Sequence, residues 1–387
     1  MKHPRMASLF AGIGGFDVGF ELEGITTSLL VDNSPAAQAV LGTRFPNAAI
    51  HDDIRDLDDV GQVEIVCAGF PCQDLSSVGR KQGIEGTRSR LVGEVFRLLE
   101  RRRVPWLVLE NVPFIRQLSR GSALRLITSA LEELDYKWAY RVIDAHCFGL
   151  PQRRRRWVLL ASTTGDPKSA LLSENEAPIL PGDHRKVACG FYWTEGMRAL
   201  GWMVDGVPPI KGGSAVGVAS PPAIRLVDGT LVTPDIRDAE RLQGFEPDWT
   251  APAEKVVKPG FRWQLVGNAV SVAMSRWLAR RIRDSGSYDH SSDPPLAQGS
   301  RWPAAAWSDG AGEIRVSTVG TWPRACPSEP LEAFLHFEPK PLSARAATGF
   351  LHRAARGSLR FPDGFIGQVE DHALEQGADP LVVKAVA

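Results

Sequence analysis

Four short stretches of this chain set reactive side chains beside glycine, proline or an apolar run. Cys72 lies in Gly69-Phe70-Pro71-Cys72-Gln73, just past an apolar strand candidate, with Ser76 close behind. The proline fixes the turn and exposes the thiol to a cleft, whereas Cys67, inside the strand, reads as inert packing. A thiol so placed can act as a nucleophile, although an isolated turn cysteine more often has no chemical role. Glu110-Asn111-Val112 ends another apolar run. A partly desolvated carboxylate there has a raised pKa and can donate or share a proton, while Asn111 would also suit a helix cap. In Gln152-Arg153-Arg154-Arg155-Arg156-Trp157, a strand opening at Trp157 would put Arg154 and Arg156 on one face and Arg153 and Arg155 on the other. One pair then faces the cleft and the other meets solvent or phosphate. Phe10-Ala11-Gly12-Ile13-Gly14-Gly15-Phe16 follows the first strand candidate. Its glycines let a ligand approach the backbone and rest on a helix N-terminus. Asp17 occupies the third glycine position of the dinucleotide GxGxxG pattern, so the loop is not that fingerprint. Asp32 closes the second strand candidate, where an acid can accept from a ribose diol, and Asp53-Ile54 follow the third. The series suits an adenosine-type ligand across the strand ends; the plainer alternative is a tight turn with unrelated acids.

The elements that must position these residues alternate. Apolar runs at 7–11, 27–31, 63–68, 107–109 and 157–161 read as strands, with helical periodicity at 16–23, 35–44, 93–103 and 122–134. The strands show little internal alternation, as in a parallel sheet covered on both faces. The fold class expected is therefore α/β, a doubly wound, mostly parallel sheet. From residue 163 to 232 the chain is rich in Gly and Pro, with scattered aromatics and a helical period only at 194–200, and reads as a smaller inserted domain. Helical patterns return at 235–242 and 269–283; 285–301 reads as a polar linker and 302–387 as a C-terminal appendix of unassigned role. The catalytic domain would then comprise 1–162 and 233–284.

The 387 residues are 43% hydrophobic and 23% charged, which is globular rather than disordered composition. No apolar run approaches the ~20 residues of a membrane helix, and the start lacks a secretory stretch, so a cytoplasmic protein without membrane contact is expected. Five cysteines and eight histidines show no metal-ligand spacing, and no metal is expected. Lys+Arg 45 balances Asp+Glu 45, excluding a nonspecific polycation but not a nucleic-acid partner, since the charge is segregated into Asp52–Asp59 and Arg153–Arg156.

All four stretches fall at strand carboxyl ends of one open sheet, where such folds bind ligands. With Arg241-Leu242-Gln243-Gly244-Phe245 and Gly267-Asn268-Ala269-Val270 they make six ordered motifs, and over residues 7–283 the chain resembles the DNA (cytosine-5)-methyltransferases. The resemblance implies a class I methyltransferase, Rossmann-like fold with S-adenosyl-L-methionine as cofactor. It implies that Cys72 adds to C6 of a flipped cytosine, that Glu110 hydrogen-bonds N4 and protonates N3, and that Arg154 and Arg156 hold O2. Asn111 would position the Pro71-Cys72 turn. Phe10, Gly12, Gly14, Gly15, Asp32, Asp53, Ile54, Pro71, Leu91, Asn268 and Val270 would line the cofactor pocket, and 76–91 would close over the base. Asp32 stands where many members carry Glu, a shorter reach to the ribose. The implied partner is double-stranded DNA bound by a monomer, with 163–232 reading the target, in restriction–modification or another anti-phage system with its own partner proteins. Methylation of transfer RNA on the same core, or a non-catalytic regulator, are the alternatives. The first is disfavoured by the lack of that branch's Cys-Phe-Thr tripeptide and the second by intact Cys72, Glu110, Arg154 and Arg156.

Overall fold

A computed structural model describes residues 4–71, 91–212 and 221–384. Cys72 and the expected closing loop, apart from Leu91, lie outside the described residues. In chain order the elements are β1 (Arg5–Leu9), α1 (Gly15–Glu21), β2 (Thr26–Val31), α2 (Pro35–Arg44), β3 (Ala49–His51), β4 (Ile65–Gly69), α3 (Leu91–Arg101), β5 (Trp106–Asn111), α4 (Ser122–Glu133), β6 (Lys137–Asp144), β7 (Arg155–Ser162) and α5 (Pro167–Leu172). There follow β8 (Cys189–Phe191), β9 (Met203–Val204), β10 (Ala223–Arg225), β11 (Leu231–Thr233), α6 (Ile236–Leu242), α7 (Arg262–Asn268) and α8 (Val272–Arg283). The chain ends with β12 (Ala305–Ser308), β13 (Arg315–Val316), α9 (Leu331–Phe334), β14 (Lys340–Pro341), α10 (Ala344–Ala355), α11 (Phe365–Glu375) and α12 (Pro380–Lys384).

The large sheet has the order β13-β12-β6-β7-β5-β4-β1-β2-β3. Strands β1 to β5 pair in parallel, and β7 runs antiparallel between β5 and β6. Its strands read as continuous apolar runs because both faces are covered. Leu9, Val66, Leu107, Leu109 and Leu159 face one core with α3 and α4, while Met6, Ile65, Cys67, Val108 and Leu160 face the other with α1, α5 and α8. The period of two assigns alternate residues to opposite layers. Strand order reverses around β1, so the carboxyl ends of β1, β2 and β4 open the crevice typical of doubly wound sheets. The α/β class and mostly parallel sheet are as expected.

Residues 302–384 are not an appendix. β12 pairs antiparallel with β6 along Ala305–Ser308, and β13 extends the sheet beyond it. Ala306 and Trp302 join one core, Ala305, Trp307 and Trp322 the other. The region expected to be a linker is also tied in: Trp307 donates to Asp293 Oδ2 at 2.7 Å, and Leu296 N to Ile314 O at 2.8 Å. Composition alone cannot distinguish a polar linker from a polar segment fastened by such bonds.

The smaller sheet, β14-β11-β10-β8-β9, draws β14 from the C-terminal region. Its faces are shared by the same alternation. Ala223, Leu231 and Phe191 meet Phe350 and Phe365 of α10 and α11, while Ile224 and Val232 meet Leu242 and Val266 of α6 and α7. The first residues of the expected insert belong to the large sheet instead, since α5 is buried against β6. The helix expected at 194–200 is absent; Gly196 has φ 127° and faces Ala354 N, a conformation no helix continues. The helix expected at 269–283 starts only at Val272, as α8, because extended Ala269 ends α7 just before it.

Candidate active site

The strand ends of the large sheet bring Glu110, Asn111 and Arg156 together. Glu110 is the penultimate residue of β5, in register with Gly69 of β4 and Val158 of β7. Arg156, two residues before Val158, reaches back across the sheet, and its Nε lies 2.8 Å from Glu110 Oε1. Both side chains are about nine-tenths buried. Burial pushes the Glu110 pKa up, and the charges of Arg156 and Arg154 pull against it. Asn111 donates from Nδ2 to Phe70 O at 2.9 Å and accepts from Val112 N at 2.8 Å. One amide therefore fastens the end of β5 to the turn that leads through Pro71, which is exposed, to Cys72.

Arg154 does not share the position of Arg156. It is fully buried, and its guanidinium donates to Ile210 O at 3.1 Å, Gly267 O at 2.9 Å and Ala269 O at 2.7 Å. These bonds occupy it as a brace between the small sheet's approach and the loop after α7. Arg154 and Arg156, expected to act together, thus have different partners, the backbone carbonyls for Arg154 and the Glu110 carboxylate for Arg156; period-two alternation gives the shared side but not the partners. Gln152 completes the brace, donating to Leu242 O and accepting from Ile210 N. Arg155 turns outward to Asp144, 3.2 Å away. Gln152 and Asp144 were not singled out as site residues; the only sequence signal was the place of Gln152 at the head of the arginine motif.

The glycine loop lies one strand further on. Phe10 and Gly12 have φ of 56° and 58°, and Gly14, at φ 84°, caps α1 with no side-chain bond. Nothing lies within 4 Å of the place a Gly12 Cβ would occupy, so that side of the loop is open to a ligand. Asp32 ties the loop down: Gly12 N donates to Oδ2 at 2.8 Å and Ser34 N to Oδ1 at 2.9 Å. Burial raises the Asp32 pKa, and these two bonds lower it. Val270 wedges between the two halves of the site. Its carbonyl sits where a Gly15 Cβ would stand, 2.3 Å away, and its side chain lies 3.7 Å from the corresponding point on Gly69. Only glycine at position 15 permits that approach.

The remaining cofactor candidates are distributed unevenly. Ile54 is 3% exposed and belongs to the core beneath the strand ends, against which Phe10 and Leu91 also pack. Asp53 is paired with Arg55, whose hydrogen bond lowers its pKa to about 2. Asn268 is exposed, with its amide against Gly212. The open backbone at Gly12 and the tethered Asp32 fit a nucleoside-bearing group, while Ile54 can offer only the edge of a buried side chain.

Comparison with known proteins agrees with this geometry. The profile of the C-5 cytosine-specific DNA methylase family matches residues 4–188. The chain is 46% identical to the type II methyltransferase M2.BsuMI of Bacillus subtilis (strain 168), over 95% of this chain and 97% of that one. It is 28% identical to the type II methyltransferase M.MspI of Moraxella sp, over 72% and 70%. Among solved structures, the S. pombe Dnmt2 methyltransferase superposes with a TM-score of 0.51 at 17% identity, covering 73% of this chain and 99% of that one, a likeness of fold. With strand ends, glycine loop and a near full-length relative in agreement, the chain belongs to the C-5 cytosine-specific DNA methylases and is a DNA cytosine-5 methyltransferase.

Proposed function

We propose that this enzyme methylates C5 of cytosine in duplex DNA through a covalent intermediate on Cys72, with S-adenosyl-L-methionine as methyl donor. The observation that carries the reading is the buried Glu110–Arg156 pair beside Asn111, whose amide holds the turn two residues before Cys72. C5 is a poor nucleophile, and addition of the Cys72 thiolate to C6 makes the ring enamine-like. Glu110 accepts a hydrogen bond from the N4 amino group and gives a proton to N3 as charge develops there. Burial raises its pKa and so favours the protonated form that can give a proton to N3. Arg156 holds O2 and keeps the carboxyl oriented. The bound cofactor supplies an electrophilic methyl group for C5. Loss of the C5 proton and elimination of Cys72 then restore the thiolate and the aromatic ring.

The base must leave the duplex to reach this site, at a cost of a few kcal/mol. Asp32 is positioned for the ribose of the cofactor, Gly12, Gly14 and Gly15 for the backbone approach, and Phe10, Val270 and Leu91 for the apolar wall. Asp53, Ile54, Pro71 and Asn268 complete the proposed pocket. The small sheet would read the target, and the setting is a cytoplasmic restriction–modification system with the enzyme acting as a monomer on DNA. The relatives' description as type II methyltransferases supports that setting, and among the described residues no helix is long and apolar enough to cross a membrane. Bisulfite or nanopore sequencing of DNA from cells expressing the enzyme tests the reading. Methylcytosine at one recurrent site is expected; methylation of transfer RNA with unmodified DNA would overturn it.

A further inference from the structure

The segment that follows β9 crosses the end of α7 at backbone contact. It is fixed at successive points: Tyr192 Oη donates to Pro209 O at 2.8 Å, Ile210 N to Gln152 Oε1 at 3.2 Å, and Arg154 to Ile210 O at 3.1 Å. Lys211 Nζ pairs with Glu195 Oε1 at 2.7 Å and lies 3.8 Å from the centre of the Tyr192 ring. Arg154 also donates to Gly267 O and Ala269 O, so one guanidinium ties both backbones. A Cβ on Gly267 would stand 2.3 Å from Gly212 N and from Lys211 C, which leaves no room for any side chain there.

Asn268, the last residue of α7, projects from this junction. Its neighbours Gly267 and Ala269 are buried, whereas Asn268 is exposed, and its amide has no hydrogen-bond partner among the described residues. A Cβ on Gly212 would stand 2.3 Å from Asn268 Oδ1 and 3.3 Å from Nδ2, so the amide rests on the bare face of that glycine. Two residues on, Val270 closes against Gly15 of the glycine loop and Gly69 of β4. An unspent donor and acceptor, held by packing alone, thus stand beside the open strand ends.

We propose that Gly212 is a positioning residue for the cofactor: the Lys211–Gly212 backbone sets the Asn268 amide against polar atoms of bound S-adenosyl-L-methionine. The region expected to read DNA thereby builds one wall of the cofactor pocket. The inference rests on the assignment of Asn268 to that pocket in the reading above. The two glycines of the junction differ in what an added methyl group meets. At Gly267 it meets backbone, which cannot yield. At Gly212, whose backbone is not left-handed, it meets the end of a side chain, which swings aside. Gly212→Ala therefore displaces the amide and keeps the fold.

The test titrates S-adenosyl-L-methionine calorimetrically into full-length wild type, Gly212→Ala, Asn268→Ala and the double variant, with thermal midpoints alongside. Loss of one hydrogen bond to the ligand predicts affinity about threefold to tenfold weaker in each single variant. The double variant should bind no more weakly than Asn268→Ala, because Gly212 acts through the amide already removed. Wild-type affinity in a folded Gly212→Ala protein overturns the proposal, and so do losses that multiply in the double variant. If Gly212→Ala does not fold, the double variant decides. Affinity equal to that of Asn268→Ala supports the positioning role; weaker affinity or no folded protein overturns it. Unchanged affinity in Asn268→Ala takes Asn268 out of the pocket and the proposal with it. Failure of the wild type to bind S-adenosyl-L-methionine instead removes the methylation reading itself.

Discussion

Arg156 Nε lies 2.8 Å from Glu110 Oε1, joining a strand that runs one way to a neighbour that runs the other. The antiparallel insertion of β7 is what makes the pair: a residue two places before the one opposite Glu110 points back toward the same strand end. Replacing Glu110 by Gln preserves shape but removes the proton, so turnover should fall roughly 10²–10⁴-fold with cofactor binding retained. Steady-state methyl transfer at saturating cofactor measures this, and an unchanged turnover number would contradict the assigned role.

Arg154 should behave differently from Arg156. Its three carbonyl acceptors hold the 210 and 267–269 backbone, so Arg154→Met should lower stability by several kcal/mol, each stranded acceptor costing about 1–3. Arg156→Gln should cost less stability and more turnover, because its partner is Glu110. Denaturant midpoints beside kcat for the two variants separate a brace from a group that meets the base; equal effects on both readouts would contradict the distinction.

Asp17 supplies a pH dependence unrelated to catalysis. It is fully buried, accepts from Thr27 Oγ1 at 3.2 Å, and burial lifts its pKa from 3.8 to about 7. Between those values the folded chain keeps a proton that the unfolded chain has lost. Its contribution is therefore full below about pH 4 and declines as pH rises to about 7, by at most about 1.4 kcal/mol per unit. Asp17→Asn should gain stability relative to wild type at pH 8 and lose that advantage toward pH 4. Urea midpoints across the range check it; a constant difference between the two proteins would show that Asp17 does not titrate there.

Truncation after Asp284 should not leave a working enzyme. It strips β12 from the edge of β6, removes Trp302, Trp307 and Trp322 from both cores, and exposes Phe191 on the small sheet. Burying one such side chain is worth roughly 1.5–3 kcal/mol, and domains have only about 5–15 to lose. Insoluble protein or loss of the cooperative thermal transition is expected. A soluble fragment with the wild-type midpoint would contradict the structural role of the C-terminal region.

The parallel core and the strand ends that carry the proposed site were legible in sequence because each rests on local signals. Glycines with left-handed backbone, a proline-fixed turn and apolar runs ending in Asp32 or Glu110 are all encoded within a few residues. What was not legible depends on distant pairing. β6 contains Lys137 and Arg141, and Arg141 is tolerated in the core only because Gly320, Leu171 and Glu174 supply carbonyls. The C-terminal strands are short and polar-flanked, and their partners lie more than 100 residues away in β6 and β11. The split between Arg154 and Arg156 likewise turned on where Ile210 and Gly267 come to rest.

The central claim, covalent catalysis by Cys72, is tested most directly with duplex DNA carrying 5-fluorocytosine at the target site. Fluorine cannot leave C5 as a proton does, so the wild type with S-adenosyl-L-methionine should form a denaturation-resistant adduct that peptide mapping places on Cys72. Cys72→Ala should form none while still binding cofactor. An adduct at Cys67, or one formed by the Cys72→Ala protein, would contradict the account.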